Sequence, residues 1–344
     1  MNNGNDINAR RAMPHSSVIA ATAFAYPSEL VSNETFAERC RFTPTSSFAE
    51  LAAESGVKTR RWCLPEENTR TMTDALVQKL LLAHPELVEQ IDVVVVASGT
   101  TLNLAHPSDP NNRVVADLAP FVLSGLGRQR ALGLDIKYCY CSGFLRGMQV
   151  TDALLANENY RAALLIAVEQ GSRFALAPSN RSSFCFIVGD AAGAVILRRE
   201  QRREGAGIID YCGHSEVDKW SWVGIGEDAA SMTMLGSKAA NATHELLVEC
   251  GRTLLRRNGL TPRDVNWLLP IQTHAGLLAS VTRALEWPKE RLLWFGDVNG
   301  FSGSASIPAC LAEQANTGLV RRGDLVLSLA VGAGLNCAGA LYRF

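Results

Sequence analysis

The sequence predicts an α/β protein built from two related halves, and three observations lead to this prediction. Apolar runs rich in Val, Leu and Ile alternate with segments of helical periodicity, as in strands that helices cover on both faces. The segment AGAVILR, residues 192–198, recurs approximately as AGALYRF, residues 338–344. The chain has 344 residues, 47% hydrophobic and 19% charged, so it can bury a large core.

The elements follow from the period of the apolar residues. Continuous apolar runs predict buried strands over 92–100, 134–140, 162–170, 265–272 and 324–332. Helical spacing predicts helices over 72–82, 143–158, 239–257, 276–285 and 306–317. The runs VVVVASGT and WLLPIQTH are each a strand that enters a polar loop, so two related halves would place their loops around one cleft. Chance likeness between short Ala/Gly-rich strands is the alternative.

Composition excludes several classes of function. The formal net charge of -1 provides no bulk field for nucleic acid or an anionic membrane. Residues 1–12 lack the apolar stretch of a signal peptide, and no apolar run reaches the length of a membrane span. The nine cysteines are scattered and odd in number, which favours reduced thiols. We therefore expect a cytoplasmic protein without a disulfide framework or a metal site.

Residues 135–144, DIKYCYCSGF, hold two cysteines where a strand-like run gives way to a helical pattern. Helical spacing starts at Gly143, so Cys141 falls near a predicted helix N-terminus, where free amides and the helix dipole favour a thiolate. Cys139 lies inside the predicted strand and lacks that help. Cys141 is therefore our candidate nucleophile; the alternative is that both cysteines are small buried residues.

Four segments, in the expected order, resemble the β-ketoacyl-acyl carrier protein synthase III family of the thiolase fold. They are CSGF with Cys141 in the nucleophile position, SGVKTRR at 55–61, SNRSSFCFIVGDAAGAVIL at 179–197 and the glycine-rich end at 319–344. The resemblance implies a five-layered αβαβα fold with two pseudo-duplicated halves. We expect a flexible N-terminus over 1–15, a half with the nucleophile over 16–201 and a second half over 202–344.

The resemblance fails at two catalytic positions. The family completes its site with a histidine in an H-Q-A-N segment and an asparagine in an H-G-N segment. Aligned without gaps, PIQTHAG and DVNGFSGSAS put Ile271 at the histidine position and Phe301 at the asparagine position. Neither side chain can stabilise the enolate that forms when a malonyl thioester loses carbon dioxide. We expect Ile271 and Phe301 to line the substrate site instead.

Two neighbouring residues are candidates for a displaced pair. His274 lies three positions after Ile271, and Asn299 lies two before Phe301. His274 is a candidate general base for an incoming acceptor, and Asn299 is a candidate catalytic partner. The alternatives are that His274 caps a helix and that Asn299 builds a turn.

The remaining candidate site residues follow from the resemblance. The family's oxyanion hole uses backbone amides, which correspond here to those of Cys141 and Ala333. Family members that take coenzyme A thioesters use a tryptophan and an arginine that segment 46–56 lacks, and an arginine that docks carrier protein aligns with Gly276. Segment 105–130 is longer than in compact members. These departures imply a different acyl group or partner.

Together these observations predict a cysteine-dependent acyltransferase of fatty-acid, polyketide or related specialised biosynthesis. Coenzyme A or phosphopantetheine of an acyl carrier protein would carry the acyl group as a thioester, with no tightly bound cofactor and no metal. The resemblance implies a homodimer. Two alternatives stay open: a ketosynthase that uses His274 for carbon–carbon condensation, and an impaired partner subunit in a heterodimer with a homologous synthase.

Overall fold

Two mixed β-sheets lie at the centre of the structure, and each takes its strands from one half of the chain. The computed structural model describes residues 15–44, 46–100, 117–137, 140–180, 182–201, 206–226 and 231–344. The strands are β1 His15–Ala25, β2 Glu29–Ser32, β3 Thr59–Trp62, β4 Ile91–Ala97, β5 Leu132–Ile136, β6 Ala162–Gln170, β7 Asp190–Gln201, β8 Ile208–Cys212, β9 Val223–Ile225, β10 Met232–Met234, β11 Trp267–Pro270, β12 Leu325–Gly332 and β13 Asn336–Arg343.

The helices flank these sheets and lie between them. They are α1 Asn33–Arg39, α2 Phe48–Ser55, α3 Thr69–Ala83, α4 Pro85–Val88, α5 Ala119–Gly125, α6 Gly143–Leu155, α7 Ser172–Ala175, α8 Gly236–Arg257, α9 Ala275–Ala284, α10 Gly296–Asn299 and α11 Ser306–Asn316. No helix in the described ranges is both long enough and apolar enough to cross a membrane.

The two sheets share one topology. The first has the strand order β1-β7-β6-β4-β5, and the second has the order β8-β13-β12-β11. In the first sheet β6 and β4 are parallel, and β7 runs antiparallel to both of its neighbours. In the second sheet β12 and β11 are parallel, and β13 runs antiparallel to both of its neighbours. The similar segments 192–198 and 338–344 thus lie on β7 and β13, which hold equivalent places. The sequence similarity therefore reflects equivalent strands of two sheets.

Helices α6 and α11 lie between the sheets and contact strands of both. Helices α3 and α5 cover the outer face of the first sheet, and α8 covers the outer face of the second. Strand β4 shows why its sequence is a continuous apolar run: Val93 and Val95 belong to the core shared with α6, while Val94 and Val96 pack in the core under α3 and α5. The predicted five-layered α/β fold is confirmed.

The predicted boundaries agree with the structure to within three residues except before Cys141. The strand predicted over 134–140 ends at Ile136, and a single 3₁₀ turn covers Tyr140–Ser142. Tyr140 has φ 37°, a left-handed conformation that a strand cannot contain. Cys139, residues 105–116 of segment 105–130, and residues 1–14 of the expected flexible N-terminus lie outside the described residues.

Close packing of α11 on β7 requires a glycine, which gives a test of the layered core. A Cβ at Gly193 would lie 2.4 Å from the backbone nitrogen of Ala309. We expect Gly193→Ala to lower the free energy of unfolding by about 3 kcal/mol, since backbone atoms must move. The matched control is Gly125→Ala, whose Cβ would lie 3.6 Å from Val77, an ordinary contact. Urea denaturation of both variants checks this, and equal losses would contradict the packing account.

Candidate active site

The 3₁₀ turn that carries Cys141 is tied to the opposite half of the chain. Ser142 Oγ donates to Asn336 Oδ1 at 3.1 Å, and Arg146 Nε donates to the same oxygen at 2.9 Å. Asn336 begins β13, and its Nδ2 donates to Ser215 Oγ at 2.7 Å. These bonds fix the turn before α6 against the second sheet. Cys141 itself is half-buried and faces the space between the two halves.

Two adjoining cavities open at Cys141. The larger, of about 120 Å³, is lined by Cys141, Ile271, His274, Phe301 and Ala333, together with apolar residues of β10, α8 and α9. The structure therefore brings together all but one of the residues that the sequence singles out. The smaller cavity, of about 60 Å³, also reaches Cys141 and Phe301 and continues towards the end of β6.

Asn299 is the predicted site residue that the structure does not bring to the nucleophile. It ends α10, is buried, and lines neither of the two cavities that open at Cys141. Its Nδ2 donates to Glu313 Oε2 at 3.4 Å, and Tyr26 donates to the same oxygen at 2.9 Å. The sequence expectation of a displaced His/Asn pair is thus corrected for Asn299, because its amide is directed at Glu313.

Ile271 and Phe301 form an apolar wall where the family has polar groups. Each is only 4% exposed. The Phe301 ring packs edge-on against Phe184, with centroids 5.4 Å apart. Its backbone is fixed because its amide donates to Ile187 O at 2.7 Å and its carbonyl accepts from Gly189. This wall offers no hydrogen bond to a developing enolate.

The thiol of Cys141 is not preactivated in this environment. Burial, reinforced by the nearby charge of Glu169, raises the pKa of Cys141 to about 12. The helix α6 starts at Gly143, so Cys141 lies before its first turn. The expected thiolate is therefore corrected: desolvation outweighs the helix N-terminus, and the thiol is protonated at neutral pH. Its attack on a thioester needs a proton acceptor.

His274 lines the larger cavity and also caps α9. Its Nδ1 accepts a hydrogen bond from the Leu277 amide at 3.2 Å. Burial lowers the pKa of His274, partly opposed by the charge of Glu54, so the ring is neutral at pH 7. A neutral ring that accepts at Nδ1 carries its hydrogen on Nε2. The ring is therefore arranged to donate, and its role as a base stays a prediction that would require loss of the cap.

Ala333 lies in the turn between β12 and β13, where Gly334 has φ 96°. The turn lines the larger cavity opposite Cys141. Glycine is required at 334 because a side chain disfavours this left-handed region. The turn can therefore present a backbone amide to the cavity, as the oxyanion role of Ala333 requires.

Glu169 is a site residue that sequence reasoning missed. It is 3% exposed, at the end of β6, and lines the smaller cavity together with Cys141. Its carboxylate accepts from Gly99 N at 2.9 Å, Thr100 N at 3.0 Å, Thr100 Oγ1 at 2.7 Å and Ser304 Oγ at 2.6 Å. Burial raises its pKa, an effect that these bonds partly oppose. The available signal was one acidic residue at the end of the apolar run AALLIAVEQ.

Sequence comparisons give the chain its relatives. Residues 134–216 match the family of 3-oxoacyl-(acyl carrier protein) synthase III, and residues 255–344 match the C-terminal region of the same enzymes. The β-ketoacyl-(acyl carrier protein) synthase III of Pasteurella multocida is 30% identical over 301 residues, covering 86% of this chain and 90% of that protein. The enzyme of the same name from Rhodospirillum centenum is 29% identical over 340 residues, covering 96% of this chain and 100% of that protein.

Solved structures agree on the fold. A 3-oxoacyl-(acyl carrier protein) synthase III from Pseudomonas aeruginosa superposes with a TM-score of 0.82 at 24% identity, covering 96% of this chain and 98% of that one. The priming β-ketosynthase of a polyketide biosynthetic pathway gives a TM-score of 0.82 at 21% identity, covering 97% of this chain and 98% of that one. The chain therefore belongs to the β-ketoacyl-acyl carrier protein synthase III family of acyl-transferring, thiolase-fold enzymes.

Proposed function

We propose that this protein loads an acyl group from a coenzyme A or acyl carrier protein thioester onto Cys141 and passes it to an acceptor that is not made by decarboxylation at this site. One observation carries the proposal. The nucleophile shares a cavity with the Ala333 turn, while Ile271 and Phe301 occupy the places of the family's enolate-stabilising residues. The acyl-loading half of the site is retained and the decarboxylating half is apolar.

In the loading step, the Cys141 sulfur attacks the thioester carbonyl carbon and its proton leaves. The carbonyl oxygen becomes negative, and the amides of Cys141 and Ala333 would stabilise it. Collapse of the tetrahedral intermediate breaks the old carbon–sulfur bond, and the departing pantetheine sulfur takes up a proton. The acyl group is then bonded to Cys141. Fixed amides suit this step because they need no rearrangement when charge develops.

The second step transfers the acyl group from Cys141 to an acceptor nucleophile. A carbon, oxygen or nitrogen acceptor must lose a proton as it attacks. His274 lines the same cavity and is our candidate for this step, by donating Nε2–H to the acyl oxygen or by taking the acceptor proton if its cap opens. Its position in the cavity also keeps open carbon–carbon condensation with a displaced histidine.

The cavity wall favours an apolar acyl chain. Met232, Met234, Leu277, Val331 and Leu335 line it beside Phe184. Apolar surface of this kind binds hydrocarbon by excluding water, and methionine side chains adapt to varied shapes. The structural likeness to a priming β-ketosynthase supports a place in fatty-acid or polyketide-type biosynthesis.

Acylation of Cys141 is the first prediction of this proposal. Incubation with a panel of acyl thioesters, followed by intact-protein mass spectrometry and peptide mapping, is expected to show one adduct on wild type and none on Cys141→Ala. The control is Cys139→Ala, which should be acylated as wild type. An adduct that persists on Cys141→Ala and disappears on Cys139→Ala would identify the other thiol. Absence of any adduct would favour the impaired partner subunit.

The apolar wall generates the second prediction. Without the histidine and asparagine donors, malonyl thioester is expected to lose carbon dioxide at least about 10²-fold more slowly than with a synthase III that carries both, because removing one such donor typically costs 10²–10³-fold. Release of labelled carbon dioxide measures this. Rapid release that requires both Cys141 and His274 would instead establish the displaced-histidine ketosynthase.

The third prediction separates the two roles of His274. His274→Ala removes both the imidazole and the cap of α9, whereas His274→Asn removes the imidazole and supplies another good capping side chain. We expect the alanine variant to lose about 1 kcal/mol of stability relative to the asparagine variant. Both variants should form acyl-Cys141 normally and transfer it slowly in single-turnover assays. Wild-type transfer by His274→Asn would make the histidine structural.

A further inference from the structure

We propose that Glu169 is the proton acceptor for the Cys141 thiol, in the place that a histidine holds in the family's site. The inference rests on the proposed acyl transfer and adds the group that the protonated thiol lacks. Glu169 belongs to the same chain and the same cavity as Cys141, and it comes from the strand that runs beside β4 in the first sheet.

The position of the carboxylate supports this role. Glu169 and Cys141 line one small cavity, together with Thr100, Tyr140 and Gly303. A Cβ at Gly303 would lie 3.1 Å from Glu169 Cγ, so the turn that contains Gly303 packs directly on the carboxylate side chain. The charge of Glu169 raises the pKa of the Cys141 thiol and the pKa of the Tyr140 phenol. The three groups therefore form one electrostatic cluster.

The carboxylate is buried without a cation. In the described part of the chain, no lysine, arginine or histidine forms an ion pair with Glu169, and its bonded partners are two amides and two hydroxyls. A buried charge without a counter-ion is costly, and such groups cluster at functional sites. A purely structural link between these loops would not need a full negative charge next to a nucleophile.

One oxygen can be freed to take a proton. Ser304 Oγ donates to Glu169 Oε1 at 2.6 Å but also lies 3.5 Å from the carbonyl oxygen of Ala97. If the Ser304 hydroxyl turns to Ala97, a lone pair of Oε1 becomes available. Thr100 Oγ1 holds Oε2 while accepting from the Gln170 amide at 2.8 Å, so the second oxygen stays fixed. Oε1 keeps its hydrogen bond from the Gly99 amide at 2.9 Å, so the carboxylate stays in place while this one lone pair is exchanged.

Both proton transfers of acyl loading then take place within the site. The Cys141 S–H bond breaks as sulfur bonds to the thioester carbonyl carbon, and the proton moves to Glu169. When the old carbon–sulfur bond breaks, the neutral Glu169 returns this proton to the departing pantetheine sulfur, which leaves as a thiol. The carboxylate is regenerated, and no external reactant is consumed.

The titration behaviour follows from the groups around the carboxylate. Among the described residues, Cys141 and Tyr140 face it from the 3₁₀ turn, Gly99, Thr100 and Ser304 contribute neutral donors, and His274 lies across the adjoining cavity. Burial raises the pKa of Glu169 above its usual range near 4.5, and that of Cys141 lies at about 12. The base form is present above the Glu169 pKa, so thiol reactivity should rise through that pKa and then level off.

Alkylation of Cys141 by iodoacetamide tests the inference without an acyl substrate. The sulfur bonds to the reagent's methylene carbon, iodide leaves, and the thiol proton passes to the base. Rates at Cys141 are followed by peptide mapping between pH 6 and 9. With Glu169 as acceptor, the wild-type rate is expected to rise through the pKa of Glu169 and then to level off. If only bulk ionisation produced the thiolate, the rate would rise tenfold per pH unit, or roughly 10³-fold in total.

Two variants provide the comparison. Glu169→Gln keeps the size of the side chain but removes both the base and the charge that raises the pKa of Cys141, so its rate should rise tenfold per pH unit instead of levelling off. Asp190→Asn is the matched control. Asp190 is another buried carboxylate that accepts from Cys63 N at 2.7 Å and Ser172 Oγ at 2.6 Å, but it lines neither cavity at Cys141. It should keep the level wild-type profile.

The outcomes are separable from those of the proposed function. A tenfold rise per pH unit in wild type overturns the role of Glu169 even if Glu169→Gln does not fold, and so does a level profile in a folded Glu169→Gln. A repeat with an acyl thioester in place of iodoacetamide tests loading itself. A level alkylation profile without any acyl adduct would support the role of Glu169 and refute acyl transfer. An acyl adduct together with a tenfold rise in alkylation rate per pH unit would support acyl transfer and refute the role of Glu169.

Discussion

The site depends on the hydrogen bonds that hold the nucleophile turn against the opposite sheet. Asn336 accepts from Ser142 and from Arg146 at one oxygen, so the turn before α6 and the first residue of β13 cannot move independently. Arg146 Nη2 also donates to the Cys337 carbonyl at 2.6 Å. Because the turn that contains Ala333 lies between β12 and β13, the same bonds also fix the turn of Cys141 relative to this part of the cavity wall. The duplicated fold matters here because each half supplies one side of the cavity.

Replacing two polar positions by Ile271 and Phe301 changes more than the loss of two donors. It places hydrocarbon in the wall of the larger cavity beside Cys141. Desolvation by burial is the main reason why the pKa of this thiol is high. A thiol in such a place is inert unless a base lies within the same enclosure. Among the described residues that line the two cavities, Glu169 supplies a carboxylate and His274 an imidazole. Of these two, the neutral His274 ring is committed to capping α9.

Much of the fold could be read from the sequence because its signals are local. The run 162–170 is β6, and 324–332 is β12 with one extra residue, since continuous apolar runs have few alternatives to a buried strand. The helices α6 and α9 begin where the Cys-Ser-Gly and His-Ala-Gly segments place them. The end of β5 was missed, because the left-handed backbone of Tyr140 is imposed by packing and has no glycine or asparagine to signal it.

The sequence by itself determined the fold class and the family, and it predicted Cys141 as the nucleophile and two altered catalytic positions, because each of these depends on residue identity at a fixed spacing. Only the tertiary structure decided which polar groups surround the thiol. Asn299 lies two residues before Phe301 in sequence, yet it bonds to Glu313. Glu169 is 28 residues away from Cys141 in sequence, yet it lines the same cavity. Residues from different strands come together only when the two sheets enclose the site. The same enclosure buries the thiol, and this burial raises its pKa although a helix N-terminus lowers it.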